Sequence, residues 1–316
     1  MTCCDCYLKM FGGLALTYVL LQLFKLYQRL VHPFFFAKTP DIHELAGAKY
    51  AVVTGSTDGI GKAYATQLAQ KGFNIVLVSR SEEKLAAVKQ EISELVSGVE
   101  VQTIAFDFTN ASVKDYESKL FEKLKAYEIG VLVNNVGMAH DYPEVLHNTH
   151  GDIQKVRDVA VVNTVPVTIL TQEILKQMVE RRRGVVINIG SIAGSSHLKG
   201  WSVYSATKRY ISHLSGILAK EYEPLGITIQ NITPGLVTTN MSGVTDISFA
   251  APNPKTFVES ALKTVGVVQE TAGFIVHQAQ LELIQMLPVA VLDYIIKGEN
   301  AKIKSKYLGS VKSASK

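Results

Sequence analysis

The sequence predicts a doubly wound α/β domain, a parallel sheet covered by helices on both faces, behind an apolar N-terminal segment. Short runs of continuous Val, Ile and Leu recur along the chain, the composition of strands buried on both sides. Each run is followed by a stretch of helical periodicity, as crossovers between parallel strands require. A glycine-rich turn joins the first such strand to the first such helix, which marks one end of the sheet as a candidate site.

The alternation starts near Ala48. KYAVVTG reads as a buried strand running into glycine, and GKAYATQLAQKG as a helix that ends at Gly72. FNIVLVSR is the next strand, and SEEKLAAVKQEISELV is a helix with a Ser81 cap and acids in its first turn. The strand VEVQTIAFD, the helix ASVKDYESKLFEKLKAY and the strand VLVNNVG follow. GVVINIGS, a long helix around Tyr204 and the strand ITIQNITPG complete the pattern. No internal repeat interrupts it. We expect one domain over residues 46–280, an N-terminal segment over 1–45 and an amphipathic segment with a basic tail over 281–316.

The N-terminal apolar stretch, Met10–Phe24, lies between Lys9 and Lys25 and is short of the roughly 20 residues that cross a bilayer core. LYQRLVHPFFF extends its character to Phe36, so residues 10–36 are expected to anchor the chain to membrane lipid, spanning it or lying in the interface. The competing reading is a buried N-terminal helix of the fold. A cleaved signal is disfavoured, because no small-residue cleavage site follows. Cys3, Cys4 and Cys6 are the only cysteines, which excludes a disulfide framework or a cysteine metal site in the folded body. Beside an apolar stretch they suit S-acylation as well as a reduced terminus.

Net charge is +4, and no basic run interleaved with aromatics appears, so nucleic acid is not an expected partner. LELIQMLPVAVLDYIIKG is apolar but broken by Glu282, Pro288 and Asp293, and reads as a membrane-surface helix or a flap on the domain. From Ala301 the tail carries five lysines and no acid, expected to be exposed and drawn to anionic headgroups.

In TGSTDGIG, Gly55, Gly59 and Gly61 allow a tight turn and close approach of a pyrophosphate to the first helix, whose N-terminus favours anions. Arg80 ends the second strand, where an acid would bind the ribose hydroxyl of NAD and an arginine suits the 2′-phosphate of NADP. Tyr204 and Lys208 stand one helical turn apart on one face. His140, His147 and His150 follow the fourth strand and are read as loop residues at the cleft, with no metal expected. Asn110, Asn231 and Asn240 match glycosylation acceptors, expected to stay unmodified in a domain facing cytosol.

Thr54–Gly61, NNVG at Asn134–Gly137, Ser191, Tyr204–Lys208 and PG at Pro234–Gly235, in this order, resemble the classical short-chain dehydrogenase/reductase family over about residues 48–275. The resemblance implies a Rossmann-type sheet and an oxidoreductase using NADPH/NADP+. It implies a catalytic set of Ser191, Tyr204, Lys208 and Asn163, with Asn163 holding a water that links Lys208 to solvent. It further implies cofactor contacts from Gly55, Ser56, Gly59, Ile60, Gly61, Arg80, Asp107, Asn135, Gly137, Tyr204, Lys208, Pro234, Gly235, Val237 and Thr239, while Asn134 braces the sheet.

The chemistry explains the set. A ketone gains a hydride at carbon and a proton at oxygen; Tyr204 is the donor, Lys208 is expected to lower its pKa toward neutrality, and Ser191 polarises the carbonyl.

The anchor, NNVGMAHDYPE, YSATK and NPKTFVESALKTVG resemble the branch of microsomal very-long-chain 3-oxoacyl-CoA reductases and 17β-hydroxysteroid dehydrogenases of types 12 and 3. That implies a hydrophobic ketone, acyl-CoA first and steroid second, reduced at the endoplasmic reticulum membrane by a domain facing cytosol. Lys199 and Lys255 are candidates for CoA contacts at the cleft mouth. A homodimer through the Tyr–Lys helix and association with other lipid-elongation enzymes are the expected protein partners. The tail VKSASK departs from a dilysine retrieval signal, and Gly190 precedes the serine. A degenerate NADP(H)-binding scaffold is the non-enzymatic alternative.

Overall fold

The computed structural model describes residues 3–314, with side chains at Tyr7 and from Lys9 to Gly309. The acylation reading of Cys3, Cys4 and Cys6 and the headgroup reading of Lys312 and Lys316 lie outside the described side chains. Seven strands, β1 (Tyr50–Thr54), β2 (Asn74–Ser79), β3 (Val101–Ala105), β4 (Ile129–Asn134), β5 (Gly184–Ile189), β6 (Ile227–Ile232) and β7 (Glu270–Thr271), form one sheet in the order β3-β2-β1-β4-β5-β6-β7. Every pairing is parallel.

Successive strand residues point to opposite faces, and both faces are covered, which is why the strands are apolar throughout. Val53, Val133 and Ile187 enter one core, against α3 (Ile42–Ala46), α4 (Gly59–Gln70), α5 (Glu82–Leu95) and α10 (Pro254–Leu262). Val52, Leu132 and Val186 enter the other. There α6 (Val113–Asp115), a π-helical turn (Tyr116–Phe121) and α7 (Glu122–Leu124) pack beside α8 (Asp152–Arg181) and α9 (Ser202–Tyr222). Strand order reverses between β1 and β4, and a crevice opens beyond the carboxyl ends of such strands.

A run of buried amides ties the sheet to its second helical layer. Asn134 Nδ2 donates to Thr171 Oγ1 on α8 (2.9 Å) and to Asn188 Oδ1 on β5 (2.8 Å). Asn188 Nδ2 donates in turn to Ser215 Oγ on α9 (2.9 Å), and Asn231 Nδ2 to Ser212 Oγ (2.9 Å). Asn231 is 1% exposed, which closes that glycosylation motif.

The N-terminus differs from a short, interrupted stretch. α1 (Cys3–Leu30) is one helix, followed by the turn-length α2 (His32–Phe35), and the apolar span Lys9–Phe35 has 27 residues, with Pro33 buried near its end. At 1.5 Å per residue it measures about 40 Å, enough for the roughly 30 Å hydrocarbon core. Leu14, Leu16, Tyr18, Leu20 and Leu21 are exposed, so α1 is not a buried helix of the domain. Its end is fixed by Arg29, which donates twice to Glu282 (2.8 Å each) on α11 (Ile275–Met286). α8 is also long and apolar, but half buried as a core helix.

The C-terminal segment also differs. LELIQM ends α11, and a separate helix, α12 (Val289–Ala314), follows, with Pro288 just ahead of its first turn, where a missing N–H costs nothing. The tail lysines are not all free in solvent: Lys304 pairs with Glu144 and Lys302 with Glu299.

Replacing Asn188 by Leu removes one partner each from the Asn134 amide, which keeps Thr171, and the Ser215 hydroxyl, which keeps the Ile211 carbonyl. The expected loss is about 1–3 kcal/mol of stability, read as a lower urea midpoint in the purified protein.

Candidate active site

The turn after β1 is shaped by contacts that only glycine permits. Gly55 and Gly59 have φ of +62° and +53°. A Cβ on Gly61 would fall 2.3 Å from the Gly55 carbonyl oxygen and 2.4 Å from Asn135 Nδ2. Asn135 Nδ2 donates to the carbonyls of Thr54 (3.0 Å) and Gly55 (3.1 Å), while Thr54 Oγ1 accepts from the N–H groups of Asn135 and Val136 (3.0 Å each). The turn after β1 is thus bolted to the turn after β4. α4 starts at Asp58 without a side-chain cap, because the Asp58 carboxylate accepts from Asn240 Nδ2 instead (2.8 Å). The first-turn amides, those of Gly59, Ile60 and Gly61, stay available to an anion, which fits a dinucleotide's phosphates.

The other expected cofactor residues surround this cradle. Thr239 presses its γ-methyl to 2.9 Å from where a Gly59 Cβ would fall, and Val237 beside it is buried. The Pro234 carbonyl accepts from Ile192 N–H (3.0 Å), and Gly235 lies against the His277 ring. Arg80 is exposed just past the end of β2, and Asp107, past β3, caps its own turn through Thr109 N–H (3.0 Å). Ser56 is fully buried with its hydroxyl 3.5 Å from the Val78 carbonyl, so only its backbone faces the crevice.

At the other end of the crevice Ser191 follows β5 and Tyr204 is the third residue of α9. The Ser191 hydroxyl hydrogen-bonds the Tyr204 oxygen and accepts from Ala193 N–H (3.1 Å). Lys208, one turn on, is 4% exposed, donates to the Ile189 carbonyl (2.9 Å) and stands 5.9 Å from the Tyr204 ring centre. A Cβ on Gly137 would lie 3.4 Å from Lys208 Nζ and 3.3 Å from Asn163 Oδ1, so only glycine leaves this corner uncrowded.

The Asn163 side chain is bonded to protein: Oδ1 accepts from Met138 N–H (2.8 Å), and Nδ2 donates to the Met138 carbonyl (2.9 Å) and Thr207 Oγ1 (3.0 Å). It clamps the loop after β4 to α9. One expectation changes in detail. The Tyr204 hydroxyl is held above its ordinary pKa by burial, with the Ser191 hydrogen bond pulling the other way. Burial acts on Lys208 too, lowering its ammonium to about 8. Desolvation therefore outweighs the expected pull of the cation on the phenol in this state.

Among the loop histidines, His140 is buried, His147 is exposed on a short helical turn, and His150 Nδ1 bonds Asp141 (3.0 Å). Lys199 is paired with Asp293 (2.6 Å). Sequence reasoning missed Thr207, Trp201 and Asn300. Trp201 meets the Tyr204 ring edge-on at 6.2 Å, and its Nε1–H donates to Asn300 Oδ1 (3.0 Å). The one tryptophan, three residues before Tyr204, was the available signal for part of this.

A doubly wound sheet with a glycine cradle at its switch point and a Ser–Tyr–Lys group beside it defines a dinucleotide-dependent oxidoreductase. Residues 49–247 match the profile of the short chain dehydrogenases, and the chain belongs to that family. The very-long-chain 3-oxoacyl-CoA reductase of Caenorhabditis elegans is 48% identical over 293 residues, 93% of this chain and 92% of the relative. A second Caenorhabditis elegans relative, carrying a provisional steroid dehydrogenase name, is 45% identical over 93% of each chain. Among solved structures, a short-chain dehydrogenase from Sphingobium yanoikuyae in complex with NADPH superposes with a TM-score of 0.62, at 26% identity, over 81% of this chain and 95% of that one.

Holding Lys208 charged at neutral pH against its ordinary value of 10.5 costs the fold about 3 kcal/mol. Between about pH 8 and 10.5 the unfolded chain binds the extra proton, so this group's contribution to stability rises with pH. Lys208→Met should therefore melt above the parent at pH 7, with the gap narrowing toward pH 10 in paired thermal scans. Gly61→Ala should weaken NADPH binding at least about tenfold, read by nucleotide fluorescence, because its Cβ drives the turn open.

Proposed function

We propose that this protein reduces a hydrophobic ketone to an alcohol with NADPH, and that the ketone is a long-chain 3-oxoacyl-CoA, which becomes the 3-hydroxyacyl-CoA. One observation carries the reading: Ser191, Tyr204 and Lys208 converge at one end of a crevice whose phosphate cradle is built from Gly55, Gly59 and Gly61. Bound NADPH supplies the hydride. The chain's own residues do the rest.

The Tyr204 hydroxyl gives its proton to the carbonyl oxygen as that oxygen gains negative charge, and a pKa held high keeps the phenol protonated until then. Ser191 Oγ, already bonded to the Tyr204 oxygen, shares the oxyanion position. Lys208 sets its charge beside the phenolate left behind and returns the proton. Asn163 acts one step back, fixing Met138 and Thr207 so that Gly137 and Lys208 keep their places. Arg80 would hold the 2′-phosphate of the bound cofactor, and Asp107 and Thr239 would meet its adenine and phosphate ends.

The acyl-CoA reading is supported by 48% identity with a relative of that name across nearly the whole chain. The exposed 27-residue apolar span supports membrane anchoring. Anchoring at the endoplasmic reticulum with the domain in cytosol, residues 46–280 as the catalytic unit, a homodimer through α9 and contact with other elongation enzymes complete the proposal. The steroid reading is second, favoured by the relative with a steroid dehydrogenase name. The scaffold reading loses support because Ser191, Tyr204 and Lys208 are all present and in contact.

Detergent-purified protein should oxidise NADPH, followed at 340 nm, with a long-chain 3-oxoacyl-CoA, and Tyr204→Phe should lower that rate by about 10²–10⁴-fold. Turnover of estrone alone would make it a steroid enzyme, and turnover undiminished in Tyr204→Phe would remove the mechanism. Arg80→Glu should shift the kcat/KM ratio of NADPH to NADH at least about tenfold toward NADH, since a carboxylate repels the 2′-phosphate and accepts from a free hydroxyl.

A further inference from the structure

α12 reaches the catalytic tyrosine through one side chain. Trp201, the chain's only tryptophan, caps the start of α9, its carbonyl accepting from Ser205 N–H (2.8 Å). Its ring stands edge-on to the Tyr204 ring. Asn300 on α12 holds it, accepting from Trp201 Nε1–H (3.0 Å) while its Nδ2 donates to the Lys199 carbonyl (2.8 Å). Both ends of one carboxamide therefore grip the two residues flanking Gly200, a left-handed turn at φ +83°. The Gly200 carbonyl accepts from Glu144 N–H (2.9 Å) in the loop after β4, and Glu144 pairs with Lys304, one turn beyond Asn300.

These contacts are directional and polar, whereas the large apolar residues Val289 and Tyr294 of α12 are 72% and 80% exposed. The helix is thus located against the loops flanking Tyr204 by hydrogen bonds and ion pairs, with Tyr307 packed on Tyr142 (4.9 Å between ring centres) farther along. A bidentate amide fixes both position and rotation, which a nonspecific surface contact would not need.

We propose that Asn300 is a positioning residue for ketone reduction. It sets the Trp201 indole against Tyr204, so that Trp201 and α12 form the outer wall of the substrate pocket and favour long apolar ketones over short ones. A short ketone reaches Tyr204 and Ser191 without using that wall. The inference rests on the ketone-reductase reading above and adds a specificity element to it.

The test uses the full-length protein in detergent, where tryptophan emission reports Trp201 alone. Asn300→Leu removes both hydrogen bonds; Asn300→Asp keeps the acceptor for Trp201 and loses the donor to Lys199. Asn300→Leu should red-shift the emission and raise KM for a long-chain 3-oxoacyl-CoA about tenfold, with kcat/KM for a short-chain 3-oxoacyl thioester within about twofold. Asn300→Asp should keep the parent emission. Unchanged emission in Asn300→Leu overturns the proposal. So do equal losses on long and short substrates with a lower unfolding midpoint, the signature of a purely structural role. The emission arm needs no ketone: if the parent reduces neither acyl-CoA nor estrone, the reductase reading fails, while the emission of Asn300→Leu still decides whether Asn300 holds Trp201.

Discussion

Lys208 is 4% exposed and donates to the Ile189 carbonyl, so its ammonium is held charged at neutral pH against a desolvation cost. Much of the surrounding architecture can be read as what makes that tolerable. Ile189 ends β5, so the partner carbonyl is fixed by the sheet. Lys208 itself lies on α9, which is tied to the sheet through Ser215 and Ser212. Gly137 gives the ammonium room where any side chain would crowd it. Asn163 fixes the loop that carries Gly137, through both polar groups of Met138. A protein selected only for stability would place a methionine or leucine here.

The same principle organises the other end of the crevice. The amide of Asn135 holds two carbonyls of the glycine turn, and Asp58 is diverted from capping α4 by Asn240. The first fixes the turn, and the second forgoes a helix cap and leaves the first-turn N–H groups available to the crevice. Cradle and proton donor are joined through β4, since Asn134 braces the sheet, Asn135 the turn and Gly137 the lysine. Three neighbouring residues therefore set the spacing between the phosphate end and the reacting end.

This explains what was legible in the sequence. The glycine turn, Tyr204–Lys208 and the NNVG run are local motifs, and their chemistry dictates their spacing, so reading them in order located the site and the sheet. The direction of the Tyr204 shift was not legible, because it depends on burial by residues distant in sequence. Nor was the task of the Asn163 side chain: an asparagine in a helix gives no sign that its amide spans a loop and a second helix. Met10–Phe24 reads as too short to span alone, yet helix α1 runs on to Leu30, and Arg29 finds Glu282 from the far end of the chain. Asn300 and Trp201 are 99 residues apart, and no periodicity links them.

Both chain ends come to bear on one side of the substrate's path. Arg29 pins the end of the apolar span to α11, Glu282 being buried and also bonded to Gln278 (2.9 Å), so the span's direction relative to the domain is set by a half-buried bidentate ion pair. α12 follows α11 after one turn and carries Asn300 to the mouth beside Tyr204. Leu236, Met241, Ile247 and Phe249, in the loop after β6, are exposed and apolar. A greasy ketone leaving a bilayer needs a continuous apolar route and a fixed entry angle. On the anchored reading proposed above, α1, the joint at Glu282 and α12 would set the angle, and the exposed apolar loop after β6 would offer the surface. A water-soluble reductase with the same Ser–Tyr–Lys group needs no such anchoring, and α1, Glu282 and α12 lie outside residues 49–247, the stretch that matches the family.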